Sequence, residues 1–182
     1  MKFAQLPLLA AAFAVAGSAH AADLYGSLGY AQFDTKLPDT SLGAVQGRLG
    51  ARLAPHLGVE GELAIGVDDD RLGDEVYKYI PDYDGTQKLK GQAGVYAVGF
   101  LPLTENAEVF ARLGFGRAKL NLKVSYFGQS MDADRTEDAF SFGVGAQYFF
   151  AGANGIRVDY TRHEFGGRDS ADAWAAAYVR RF

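Results

Sequence analysis

From Val45 onward, apolar and polar residues alternate along the chain with a period of two. Val45, Gly47, Leu49, Ala51 and Leu53 form one face, and Gln46, Arg48, Gly50 and Arg52 the other. Successive side chains of an extended chain point to opposite sides, so this pattern predicts a strand with one greasy face. After the turn Ala54-Pro55-His56, the next segment sets Leu57, Val59, Gly61, Leu63, Ile65 and Val67 against Gly58, Glu60, Glu62, Ala64 and Gly66. A second hairpin of the same design follows later. Phe140, Phe142, Val144, Ala146, Tyr148 and Phe150 alternate with Ser141, Gly143, Gly145, Gln147 and Phe149. Beyond the turn at 151–155, Ile156, Val158 and Tyr160 lie opposite Arg157, Asp159 and Thr161.

Four further strands are predicted at 24–34, 89–100, 108–116 and 172–182. There the phase puts Leu24, Leu28 and Tyr30 outward on the first, and Tyr96, Val98 and Phe100 on the fourth. Val109, Ala111, Leu113 and Phe115 face outward on the fifth, and Trp174, Ala176, Tyr178 and Phe182 on the last. Each strand has the length of a tilted membrane-crossing strand, ~9–11 residues. Outside the N-terminal segment, the prolines at 38, 55, 81 and 102 all fall in connections, as a sheet that needs every backbone N–H requires. The connections 35–43, 68–88, 117–138 and 165–171 are polar, and all but the last are long; the short ones, 54–56, 101–107 and 151–155, alternate with them. This asymmetry predicts an all-β, eight-stranded, antiparallel up-and-down transmembrane barrel with both chain ends on the short-turn side.

The less greasy face decides between lipid and a soluble core. As a solvated surface it would carry an unusual amount of glycine, which weakens strands and packs nothing. In a narrow barrel, small residues make room in a crowded lumen and charged ones pair across it. Aromatic residues Phe100, Tyr148, Phe150, Tyr178 and Phe182 at the turn-side strand ends fit an interfacial girdle. Hydrocarbon on the outside then requires the sheet to close. A net charge of −4 over 182 residues argues against nucleic acid as a partner. The lack of cysteine excludes thiol chemistry and zinc fingers, and the carboxylates clustered in 68–88 lack the EF-hand spacing that Ca²⁺ would need, so no metal or cofactor is expected.

Residues 1–21 have the composition of a secretory signal: Lys2, an apolar run from Leu6 to Gly17, and the small-x-small pattern Ser18-Ala19-His20-Ala21. The apolar run is too short to span a bilayer as a helix. The barrel domain is expected to occupy 22–182.

The leader, the eight alternating segments and the terminal Tyr178-Val179-Arg180-Arg181-Phe182 resemble the small outer-membrane barrel superfamily of Gram-negative bacteria, the group of the OmpA transmembrane domain, OmpX/Ail and the opacity-type surface proteins. The resemblance covers the whole mature chain. It implies an outer-membrane location, contact with lipid and lipopolysaccharide, and Tyr178 and Phe182 as a signal for the barrel-assembly machinery. Arg180 departs from it, standing at an outward position where the family more often has an apolar residue.

Three groups of residues are candidates for chemistry. Arg48, Arg52, Arg112, Arg157, Glu60, Glu62 and Asp159 are inward and are read as lumen ion pairs. The 54–56 turn, with Leu53 facing Leu57, sets Arg48 opposite Glu62 and Arg52 diagonal to Glu60. These pairs are read as a structural plug, with a gated pore as the alternative. Lys88, Lys90, Arg117 and Lys119 lie at one height on the outer face and are read as a possible lipopolysaccharide contact. The 68–88 loop carries seven acidic side chains against three basic ones, together with Tyr77, Tyr79, Ile80 and Tyr83, whose aromatics suit either a surface ligand or a cap over the barrel mouth. For catalysis, His163 is inward while Glu164 is outward, and His56 lies in a turn, so no supported dyad is expected. The expectation is a non-enzymatic, monomeric barrel with a structural or cell-surface interaction role. A narrow ion channel, or a soluble exported barrel holding an apolar ligand, are the alternatives.

Overall fold

A computed structural model describes residues 23–36, 39–71, 83–126, 129–166 and 170–182. Residues 1–22 and most of the acidic 68–88 loop, including Tyr77, Tyr79 and Ile80, lie outside the described residues. The strands are β1 (Asp23–Lys36), β2 (Asp39–Ala54), β3 (Leu57–Gly66), β4 (Asp69–Arg71), β5 (Tyr83–Pro102), β6 (Ala107–Tyr126), β7 (Gln129–Ala151), β8 (Asn154–Phe165) and β9 (Ser170–Arg181). Neighbours in sequence pair antiparallel, and β1 pairs with β9. β3 and β4 both lie along β5 and are two segments of one barrel strand, so their pairing closes an eight-stranded barrel. Closure leaves no sheet edge within the hydrocarbon, where an unpaired N–H or C=O has no water to turn to.

The greasy faces are outside. Leu49 is 64% exposed, Leu63 57%, Phe142 41% and Val158 54%, while Arg48 and Glu62 are buried. This inverts a soluble core and matches the lipid-facing band of a membrane barrel. Small inward residues make room for large ones: a Cβ at Gly50 would run into the Tyr25 ring, and one at Gly145 into the Phe110 ring. The turn between β7 and β8 uses Gly152 at φ 58°, a left-handed conformation that a side chain would strain.

Three expectations are corrected. The stretches read as loops at 35–43 and 117–138 are largely strand: β1 runs to Lys36 and β2 begins at Asp39, and β6 and β7 continue through 126 and from 129. Above the membrane both faces of a strand meet water, so polar composition there carries no sign of loop or strand. Next, Ala54 rather than Leu53 stands opposite Leu57, because the register shifts between Arg52 and Ala54; the ladder below it keeps Arg48 opposite Glu62.

The third correction concerns β5. Tyr96, Val98 and Phe100 are buried in the lumen, and Phe100 is not part of the girdle. The register between β5 and β6 shifts between Leu89 and Gly91, so Lys90 is an extra residue. A bulge of one residue exchanges the two faces. Above it Gln87 and Leu89 point inward and Lys88 and Lys90 outward; below it Gln92, Tyr96 and Val98 point inward. Continuing the outward phase of Lys88 and Lys90 down the strand therefore reverses every lower position.

Deleting Lys90 is expected to turn Lys88 into the apolar upper lumen and Leu89 outward. An unpaired buried ammonium is costly, so the variant should refold poorly and lose heat-modifiable migration on gels at a temperature where the parent keeps it.

Candidate functional site

The centre of the lumen is filled by three guanidinium groups and three carboxylates. Arg48 on β2 donates from Nε to Glu62 at 2.8 Å and, through both terminal nitrogens, to Asp159 at 2.6 and 2.8 Å. Arg112 on β6 reaches Glu62 at 2.6 Å and lies 3.4 Å from Glu60. Arg157 on β8 bonds Glu60 at 2.7 Å and lies 3.3 Å from Asp159. All six are buried, and their charges cancel. Tyr25 on β1 donates to Glu60 at 3.1 Å, while Tyr96 and Gln92 on β5 donate to Glu62 at 3.2 and 3.3 Å. The Arg112 guanidinium sits 3.5 Å from the centre of the Tyr96 ring, and that of Arg157 4.0 Å from the Phe110 ring. Planar cations thus take aromatic faces where hydrogen-bond acceptors run out.

A second layer lies toward the short turns. Glu108 accepts from Arg52 at 2.7 Å, from Arg181 at 2.8 Å and from Gln147 at 2.5 Å. Arg52 covers Phe100 and Arg181 covers Phe149. Arg52 therefore meets Glu108, not Glu60, whose oxygens are taken by Arg157, Arg112 and Tyr25. Glu108 and Arg181 escaped the sequence reading, although both share the inward parity of their strands. They were missed because each stands near a strand end, where a charged residue reads equally well as part of a turn.

At the other end, β5, β6 and β7 stay paired far above the barrel: Tyr83 lies opposite Tyr126, and Tyr126 opposite Gln129. β8 pairs with β7 only from Ala139 down. The stretch 129–138 of β7 thus has no ladder partner on that side among the described residues. Three acidic side chains fasten this sheet from outside. Asp134 takes Lys90 at 2.7 Å and Lys119 at 2.9 Å, so one carboxylate on β7 holds Lys119 on the adjacent β6 and Lys90 on β5 beyond it. Asp138 holds Arg117 at 2.6 Å, and Asp132 accepts from Asn121. The hydrogen bond from Lys90, followed by those from Lys119 and Asn121, holds the Asp134 carboxyl well below the usual carboxylate range.

The proposed outer cations Lys88, Lys90, Arg117 and Lys119 are all exposed, and the last three are paired with these aspartates. Tyr178 and Phe182 point outward at the end of β9. His163 is buried and hydrogen-bonded through Nδ1 to Ser141 at 2.8 Å, the residue opposite it on β7. His56 lies at its turn, bonded to the Phe100 carbonyl at 3.1 Å.

Comparison with known proteins agrees with this architecture. The chain matches the family described as "Outer membrane protein beta-barrel domain" over residues 3–182. No curated protein sequence gives a significant match. Among solved structures, it is similar to Ail of Yersinia pestis, described in complex with the heparin analogue sucrose octasulfate, at 20% identity and a TM-score of 0.62 over 88% of this chain and 99% of that one. It is also similar to a major outer membrane protein of Thermus thermophilus, at 14% identity and a TM-score of 0.61 over 90% of this chain and 100% of that one. Neisserial surface protein A gives 12% identity and a TM-score of 0.57 over 88% and 96%. At these identities the likeness is one of fold.

Two outcomes are expected. Glu62→Ala leaves Arg48 and Arg112 without their shared carboxylate and should cost about 3–5 kcal/mol in urea unfolding from micelles; removing Arg112 as well should recover part of the loss. The contribution of Asp134, whose carboxyl is depressed in the fold, is present above the ordinary aspartate pKa of about 3.9 and lost as the pH falls below it. Amide-exchange protection in the upper parts of β6 and β7 should accordingly hold at pH 5, weaken below pH 4, and be weak at every pH in Asp134→Asn.

Proposed function

The chain belongs to the outer membrane β-barrel family, and from that premise we propose that it is a sealed outer-membrane barrel that acts at the cell surface through its projecting sheet. The observation that carries this reading is the edge of β7 above Ala139, which has no ladder partner on its β8 side among the described residues. β5, β6 and β7 are 20, 20 and 23 residues long, about twice what crossing the membrane needs. The surplus reaches roughly 30 Å along the strand at ~3.3 Å per residue. A sheet edge that stands in water without a ladder partner among the described residues is a template for strand addition by an extended polypeptide.

Charge narrows the partner. The edge segment 129–138 carries Asp132, Asp134, Glu137 and Asp138 against Arg135, which favours a basic extended segment. The ion pairs of Lys90 and Lys119 with Asp134 and of Arg117 with Asp138 must open for a charged partner of either sign, and the acidic excess on the edge strand itself favours the basic one over a polyanion of the kind seen with Ail. We assign these cations, with Lys88, a secondary contact with lipopolysaccharide phosphates. Tyr178 and Phe182 are assigned to recognition by the assembly machinery. The filled and charge-balanced lumen supports a monomeric structural barrel over an ion channel. The soluble alternative is not retained, because the large apolar side chains face outward.

Replacing residues 121–134 with Asn-Gly turns the hairpin at the Leu120–Arg135 pair and removes the edge. A labelled alternating Lys-Val decapeptide should bind the parent in nanodiscs at least tenfold more tightly than the shortened barrel, with heat-modifiable migration unchanged. Equal binding by the two, or preferential binding of heparin by the parent, refutes the reading.

A further inference from the structure

Above the ion-paired centre the lumen changes character. Its wall there is built by Phe33, Leu42, Leu89 and Phe165, with Ala118 and Ala139 where the space opens. These residues line a cavity of about 50 Å³ that opens toward the extracellular end. We propose that this chamber is a binding site for a small neutral apolar ligand, an alkyl segment that enters from the extracellular side.

A water-filled barrel interior is normally polar, and this wall offers water little. Several of its polar groups are already engaged, and Gln87 is buried in the wall beside them. Gln92 donates to Glu62, His163 is bonded to Ser141, Thr35 to Thr40 and Arg117 to Asp138. The buried side-chain atoms left without a hydrogen bond among the described residues belong to Ser27, Arg112, Gln147 and Thr161. None of these residues lines the chamber. A cavity walled mainly by apolar side chains takes apolar guests.

The space follows from the fold rather than from loose packing. Eight strands fix the barrel diameter, so where inward positions are alanine the bore is not filled. Inward alanines cluster at this level: Ala31, Ala44, Ala64, Ala118 and Ala173 are all buried in one apolar cluster with Phe33, Leu42 and Leu89. One level below, the same bore holds arginines and glutamates. The floor is therefore a closed, charge-neutral layer, and it presents no unpaired ion to the guest. That selects against a charged ligand and for an uncharged one. The bulge at Lys90 contributes directly, because it turns Leu89 into the chamber.

The test uses the full barrel in phosphatidylcholine nanodiscs, with carbon-13 methyl labels on alanine and leucine and n-hexanol as the probe. Saturable shifts are expected at Leu42, Leu89, Ala118 and Ala139. Outward methyls such as Leu49 and Leu63 should shift only in proportion to alcohol in the bilayer. Ala118→Leu, and separately Ala171→Leu, should weaken the saturable binding at least tenfold, while the outward Ala176→Leu should leave it unchanged. Two filling variants keep the test open if one fails to fold. Lipids with a nitroxide near the acyl terminus identify the natural source: broadening of the chamber methyls that hexanol relieves supports a bilayer acyl chain, and its absence beside saturable hexanol binding supports a free molecule. Water cross-peaks to the chamber methyls, purely linear shifts, or undiminished binding by both filling variants would overturn the proposal. None of these outcomes depends on the β7 edge.

Discussion

Charge neutrality in a closed bore is the constraint on which the rest depends. The outward residues of every strand are committed to hydrocarbon, so each alternate residue is committed to the interior. Three arginines and three carboxylates there must satisfy one another, since removing ions from water costs several kcal/mol each unless partners replace the hydration. Arg48, Arg112 and Arg157 come from β2, β6 and β8, and their partners from β3 and β8. With Tyr25, Tyr96, Gln147 and Arg181 added, the two polar layers tie together all eight barrel strands.

This interior rewards planarity as well as charge. Four arginines stack on Phe100, Tyr96, Phe110 and Phe149. Each aromatic ring is itself inward, which a simple division into oily outside and polar inside does not anticipate. The rings take up volume that water would otherwise fill, and they add attraction for cations in a setting of low dielectric. Lysine, with its compact hydrated ammonium, would not fill either role. Lys88, Lys90 and Lys119 stand instead at the outer rim, where water is available.

How much was legible in the sequence follows from the same physics. Where one face meets lipid and the other a packed lumen, the period of two is enforced, and β2, β3, β7 and β8 were readable down to the Arg48–Glu62 register. Above the membrane nothing enforces it: the polar stretch of 117–138 reads as a loop because both of its faces are wet, yet it is strand. The phase of β5 failed for a different reason. Its aromatic residues suit either environment, and an inserted residue at Lys90 leaves no compositional trace. Among the site residues, the central six were accessible from parity alone. The partner of Arg52 was not, because Glu108 comes from a strand distant in sequence and parity says nothing about which charges meet across a bore.

The Lys90 bulge has a consequence for how such a molecule can vary. By letting β5 exchange faces partway along, it uncouples the rules that govern the two halves of the chain. The embedded half must keep its phase with the bilayer, while the upper half keeps phase only with itself. Residues can then be gained or lost in matched pairs across the outer hairpin, lengthening or shortening it by whole pleats, without disturbing the base on which it stands.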